Sequence, residues 1–281
     1  MSALLDESAV DQPAEVHAVL SYTHDNGVRP VNYTFDPPAG VPRNSGEVDA
    51  RTVPIRNARS VRGLTLDVSG FETIWHRSTL TDWASFQIRD LVKAVYYPEV
   101  EAALRSHTGA EKVVIFDHTL RDSAVEQGGA ALREPVRRVH DDQTFESAPR
   151  RVARHLAPDE AAGRLERRFA IVNFWRPVGG PVLRTPLAVC DARSIEFRDL
   201  IPSDLVYPDW VGETYAIAFS PRHRWYWYPQ QTPTETTLLK VYDSAEDGRA
   251  RMTAHTAFDD PTSALDAPPR RSIEVRSILF W

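Results

Sequence analysis

The chain has 281 residues, 42% hydrophobic and 26% charged, with a formal net charge of −6 at neutral pH. These figures fit a folded chain with a sizeable core and exclude collagen-like, low-complexity or strongly basic nucleic-acid-binding compositions. Its single cysteine, Cys190, excludes an internal disulfide framework and any multi-cysteine metal site.

No apolar run approaches the roughly 20 residues that span a bilayer. Met1 to Ser8 carries no basic leader before an apolar core, so a cytoplasmic location with no membrane contact is expected. Residues 1–15 are polar and acidic and read as a flexible tail. The segment from Val16 to Leu20 is a short element. Residues 25–50, with Asn26-Gly27, Pro37-Pro38 and Gly46, form a long loop. Thr52–Ile55, Thr65–Val68 and Gly70–Trp75 read as extended pieces. Asp82 is a candidate N-cap for a helix whose apolar stripe is Trp83, Phe86, Ile88, Leu91, Val92 and Val95. Pro98 opens a further helix that Gly109 stops. Lys112–Phe116 is a buried strand that delivers Asp117, His118, Thr119 and Arg121 to its end.

Strands then dominate. They are expected over Val136–Asp142, Phe169–Trp175, Pro181–Cys190, Thr236–Tyr242, Ala250–Phe258 and Ser272–Phe280, with a short helix at Asp159–Arg168. Thr214–Phe219 and Arg224–Tyr228 read as a hairpin. The pattern predicts a mainly β architecture with flanking helices (α+β): a mixed helical and strand N-terminal portion, residues 16–125, packed on a β-sandwich or barrel core of residues 126–281.

His140 and Asp142 lie two residues apart on a predicted strand and so share a face. Asp141 points the other way. An imidazole and a carboxylate on one face supply two positions of a metal's coordination sphere. His255, 113 residues after Asp142, is a candidate third ligand, which would complete a two-histidine, one-carboxylate triad for iron(II). His223 is its rival. Arg270 and Ser272 share a strand face beyond His255 and suit a carboxylate, the guanidinium in a bidentate pair and the hydroxyl by one hydrogen bond. That arrangement fits 2-oxoglutarate as co-substrate. Ion-paired surface groups and core histidines are the competing explanations for each residue taken singly. Asn173, Trp175 and Arg176, on a strand mixing polar and aromatic groups, are candidate substrate-binding residues, as are His118 and Arg121.

The succession His140 to Thr144, Asn173-Phe174-Trp175-Arg176-Pro177, Pro186 to Asp191, His223 to Tyr228, Lys240 to Ser244, His255 to Phe258 and Arg270 to Arg276 resembles the CmcJ/gibberellin-desaturase-like family. Gly70-Phe71, Tyr96-Tyr97, Thr108-Gly109-Ala110 and Phe116 to Thr119 with Arg121 extend the likeness over roughly residues 16 to 281. That family is similar to other iron(II)- and 2-oxoglutarate-dependent oxygenases. The resemblance implies one oxygenase domain with a double-stranded β-helix (jelly-roll) core. It also implies dioxygenase chemistry, with O2 oxidising a small molecule of secondary metabolism by hydroxylation, desaturation or oxidative cyclisation. A catalytically silent jelly-roll accessory or binding protein is the alternative, and a metal-dependent hydrolase or isomerase a third. Intact His140, Asp142, His255, Arg270 and Ser272 argue for turnover.

Overall fold

The computed structural model describes residues 12–124 and 132–281. Most of the expected tail, residues 1–11, lies outside them. Its last residues do not: Asn57 donates its backbone N–H to the Ala14 carbonyl (2.8 Å) and its side-chain amide to that of Pro13 (3.3 Å).

Fifteen strands are described. The first is β1 (Glu15–Thr23), in which Val16, Ala18, Leu20 and Tyr22 turn inward by strict alternation. There follow β2 (Val31–Tyr33), β3 (Val48–Asn57), β4 (Phe71–Trp75), β5 (Lys112–Asp122), β6 (Leu132–Arg133) and β7 (His140–Asp141). The remainder are β8 (Phe169–Pro177), β9 (Leu187–Cys190), β10 (Leu200–Val206), β11 (Val211–Ile217), β12 (Trp225–Trp227), β13 (Glu235–Asp243), β14 (His255–Ala257) and β15 (Arg271–Phe280). They form a nine-stranded sheet, β1-β3-β12-β9-β14-β7-β11-β10-β2, and a six-stranded sheet, β4-β13-β8-β15-β5-β6. The inner faces meet: Ile171, Leu239 and Ile278 of the smaller sheet pack with Val189 and Tyr226 of the larger. The result is a curled jelly roll. Strands from before residue 125 lie in both sheets, so the mixed N-terminal portion shares its strands with the β core.

The other face of the six-stranded sheet carries the helices. α1 (Trp83–Gln87) starts where expected, with Asp82 accepting the Ser85 N–H at 2.8 Å. It stops at an extended Ile88, after which α2 (Arg89–Leu91) passes through a π-helical turn, Val92–Tyr96, into α3 (Tyr97–Thr108). Pro98 stands in the first turn of α3, as expected, although the chain enters that helix through the π-helical turn rather than through a break. The wider turn before it gives room for a ring that would strike a carbonyl of a regular α-helix. Gly109 closes α3 in the left-handed region, φ 71°. Phe86, Tyr96, Val100 and Leu104 bury against Val172, Phe174, Ile273 and Val275.

Several expected strands differ. Thr65–Val68 is a turn, tied by the Ser69 N–H and hydroxyl to the Thr65 carbonyl. Its neighbour Gly70 has φ +82°, and a Cβ there would lie 2.9 Å from the Met252 carbonyl oxygen. β9 begins only at Leu187, because Thr185 at φ 52° and Pro186 interrupt the ladder. The expected strand Val136–Asp142 shortens to β7 by changing partners: Val139 bonds Ser21 of β1, whereas His140 pairs with Ala216 and His255. β11 and β12 form no hairpin. β10, which Pro202 disguised, is the antiparallel partner of β11, and β12 pairs with β3 and β9. α4 (Ser147–His155) was also hidden by a proline. Pro149 sits in its first turn, where no N–H is needed. α5 (Pro158–Leu165) follows near its expected place.

Candidate metal centre

His140 and His255 are register partners on neighbouring strands β7 and β14, which sets their rings side by side, centroids 4.4 Å apart. Asp142 follows β7 on the same face. One ligand atom from each of His140, Asp142 and His255 lies within 4.8 Å of the other two. That is the spacing at which three donors share one ion.

The local bonding aims each donor. His140 Nδ1 lies 2.7 Å from the Arg138 carbonyl oxygen, which makes Nδ1 the N–H donor and turns the Nε2 lone pair inward. Asn173 of β8 donates its amide N–H to Asp142 Oδ2 at 2.7 Å, leaving Oδ1, 3.5 Å from His140 Nε2, toward the gap. Burial opposes ionisation of Asp142, but His140, then His255 and the Arg276 guanidinium, outweigh it and hold the carboxyl well below its usual range. Burial, and then the adjacent His140, push His255 down to about 3. Its ring is therefore neutral at pH 7, the form that binds metal. Asp141 is buried on the opposite side, beside Tyr215 in register, and burial raises its pKa.

Two more expected residues flank this gap. Arg270 and Ser272 are 3% and 1% exposed, at the start of β15. Arg270 Nη1 donates to the Thr185 carbonyl at 2.8 Å, yet its Nε and the Ser272 hydroxyl are sealed from solvent with no partner among the described residues. Two buried donors without acceptors fit an incoming carboxylate. Burial, then Arg121, lower the Arg270 pKa to about 9, so the guanidinium stays cationic at neutral pH. Arg271, by contrast, points outward to Asp122, 3.0 Å away. The donor set of two imidazoles and one carboxylate suits iron(II), and the open Arg270–Ser272 pair suits 2-oxoglutarate.

The six-stranded sheet sorts the remaining candidates by face. Asn173 and Trp175 (β8) and Arg121 (β5) point inward, Arg121 being in register with Ser272. Trp175 is 2% exposed and carries the Arg270 guanidinium 5.5 Å from its ring centre. His118 and Arg176 are corrections: both face the helices. His118 pairs with Val275 and meets the Tyr97 hydroxyl at 2.7 Å. Arg176 pairs with Ile273 and lies over the Phe86 and Tyr96 rings. Period-two alternation from Asn173 would have excluded Arg176. His223 lies apart, bonded to Asp199. The sequence reading missed Glu274 and Arg276, which continue the inward row of Arg270 and Ser272. It also left out Asp117, which grips Arg276 through two bonds of 2.6 and 2.9 Å.

Comparison with known proteins gives a consistent picture. Residues 20–280 match the family described as Oxidoreductase/YMDC permease-like domain. The chain is 35% identical over 256 residues to the hydroxylase/desaturase CTB9 of Cercospora beticola, covering 83% of this chain and 77% of that protein. It is 36% identical over 244 residues to the alpha-ketoglutarate-dependent dioxygenase phiK of a fungal species, covering 83% and 85%. Among solved structures, a variant of the iron and alpha-ketoglutarate-dependent endoperoxidase NvfI superposes with a TM-score of 0.86 at 28% identity, covering 96% of this chain and 98% of that one. No helix among the described residues is long and apolar enough to cross a membrane.

Proposed function

We propose a reaction for this chain from one premise: it belongs to the Oxidoreductase/YMDC permease-like family, among iron(II)/2-oxoglutarate-dependent oxygenases. It is an iron(II)- and 2-oxoglutarate-dependent dioxygenase that oxidises a small molecule of secondary metabolism by hydroxylation, desaturation or ring closure. The observation that carries this reading is the convergence of His140, Asp142 and His255 beside the unpartnered donors of Arg270 and Ser272.

In this reading His140, Asp142 and His255 hold the iron, and Arg270 with Ser272 holds the far carboxylate of 2-oxoglutarate. When bound, the metal and co-substrate supply oxidative decarboxylation to succinate and carbon dioxide, coupled to oxidation of the substrate by O2. The chain's own part is orientation and exclusion of water. Asn173 restrains Asp142 Oδ2, so that one oxygen faces the gap. The Arg138 carbonyl fixes the His140 tautomer. Arg270 is braced on the Thr185 carbonyl, which leaves Nε for the co-substrate. Trp175 walls the gap with an apolar surface, and Arg121 lies at the same level as Ser272.

Residues 16–281 act as a single oxygenase domain. We place it in the cytoplasm, where a lone buried thiol such as Cys190 stays reduced. Its reaction partners are the small-molecule substrate and O2, with no nucleic acid. Anaerobic titration with iron(II) and 2-oxoglutarate tests the reading. A visible charge-transfer band is expected in the wild type and not in His140→Ala; if the wild type gives no band, the reading is wrong.

A further inference from the structure

Along the inner face of β15 the residues after Arg270 and Ser272 are Glu274 and Arg276, and Glu274 stands out. It is 6% exposed, yet it takes part in no hydrogen bond or ion pair among the described residues. The two cations nearest in register are engaged elsewhere: Arg121 donates to the Glu134 carbonyl at 2.8 Å, and Arg276 is held by Asp117 and Thr119. Its oxygens are not among the fully sealed, unpartnered atoms, so they keep a little solvent exposure. Its register neighbours are Trp175 on β8 and Thr119 on β5, both on the inner face.

A buried carboxyl without a partner is costly unless something is brought to it. Glu274 lies four positions after Arg270 and two after Ser272, spans of roughly 13 and 7 Å along a strand. A co-substrate carboxylate seated on Arg270 and Ser272 brings Glu274 no hydrogen to accept. Charge narrows what it meets. Arg121 and Arg276 disfavour a cation nearby, while Glu274, Asp117 and Asp142 disfavour a second anion. A neutral hydrogen-bond donor offends neither set.

We propose that Glu274 is a specificity-determining residue that anchors a hydroxyl group of the substrate, whose apolar body lies against Trp175. This rests on the oxygenase reading above, and the test separates the two. Anaerobic protein loaded with iron(II) and 2-oxoglutarate is titrated with phenol and cyclohexanol, with their methyl ethers, and with cyclohexylamine, each followed by its shift of the charge-transfer band. The alcohols should bind about tenfold more tightly than the ethers, as expected for one hydrogen bond. That preference should vanish in Glu274→Ala and survive in part in the isosteric Glu274→Gln. Failure of the band to form in the wild type overturns the oxygenase reading itself. A band without an alcohol preference, a preference for the amine, or a preference undiminished in both variants overturns the role of Glu274 alone.

Discussion

Two groupings of histidine and carboxylate lie along the same nine-stranded sheet, one at β7 and β14 and one in the connections before β10 and β12, and they differ in what their polar atoms are left to do. Around His223 the chain meets both ring nitrogens. Nε2 lies 3.2 Å from Asp199 Oδ2, and Nδ1 lies 3.4 Å from the Tyr22 hydroxyl, which also accepts the Trp225 indole N–H at 2.6 Å. The Tyr22 ring stacks on the imidazole. Around His140 and His255 the closure is incomplete: His255 Nδ1, Asn173 Oδ1, Arg270 Nε and the Ser272 hydroxyl are buried without partners among the described residues. Both groupings are buried and both contain an acid, so neither burial nor composition separates them. Unmet bonding capacity does, because several open donors and acceptors gathered at one place suit a group that fills them.

The largest expected effect breaks the comparison outright. His255→Ala should abolish stoichiometric iron(II) binding, while His223→Asn leaves it intact, as read by metal content after anaerobic loading and desalting. Retained iron in the first variant, or lost iron in a folded second, would reverse the assignment of the third ligand. Arg270→Met should weaken 2-oxoglutarate binding by about 100-fold, the loss of a charge-assisted pair, and leave iron affinity near wild type. Asn173→Ala frees Asp142 Oδ2 and should cost about 10- to 100-fold in iron affinity. Unchanged affinity in a direct titration would remove Asn173 from the centre. His118→Phe, on the helix side of the sheet, should leave both affinities unchanged.

The smallest effect concerns stability around His223. At pH 8 His223→Asn should cost about 1–2 kcal/mol through lost bonds to Asp199 and Tyr22. Burial, opposed by Asp199, places the folded-state pKa of His223 below its ordinary 6.5. The unfolded chain therefore takes up the proton first, and the wild type loses stability as pH falls through 6.5 toward the folded value. Asparagine does not titrate, so the gap between the two proteins should narrow over that range. Urea unfolding at a series of pH values checks this; a gap that widens on acidification contradicts the direction.

The centre was legible in the sequence where the period of two operates over a short span. His140 with Asp142 and Arg270 with Ser272 are such pairs, and the strands bearing them do what the pattern requires. The same rule carried two positions further reaches Glu274, and applied to β8 it separates Asn173 and Trp175 from Arg176. His255 was a harder choice. Its placement beside His140 comes from β14 and β7 pairing across 115 residues of chain, which no local pattern encodes. The misread elements share a cause as well. Pro149 within α4 and Pro202 within β10 are tolerated at a first turn and in a ladder, so each hid an element that continues. The supposed hairpin failed because Thr214–Phe219 and Arg224–Tyr228 each find partners elsewhere, a matter of topology rather than turn chemistry.

β15 lies between β8 and β5, and its alternate residues serve opposite faces of the sheet. Ile273 and Val275 complete the core beneath the helices, while Ser272, Glu274 and Arg276 line the interior. A one-residue slip would exchange the two sets and ruin both at once. Arg271 and Asp122, which help hold the register, are 149 residues apart in sequence. Pairings so distant form late, after the entropy of closing long loops has been met. Partly folded chains should therefore have no affinity for the co-substrate. Iron and 2-oxoglutarate together would then select the finished fold from its intermediates, raising its population in proportion to how far they exceed their dissociation constants.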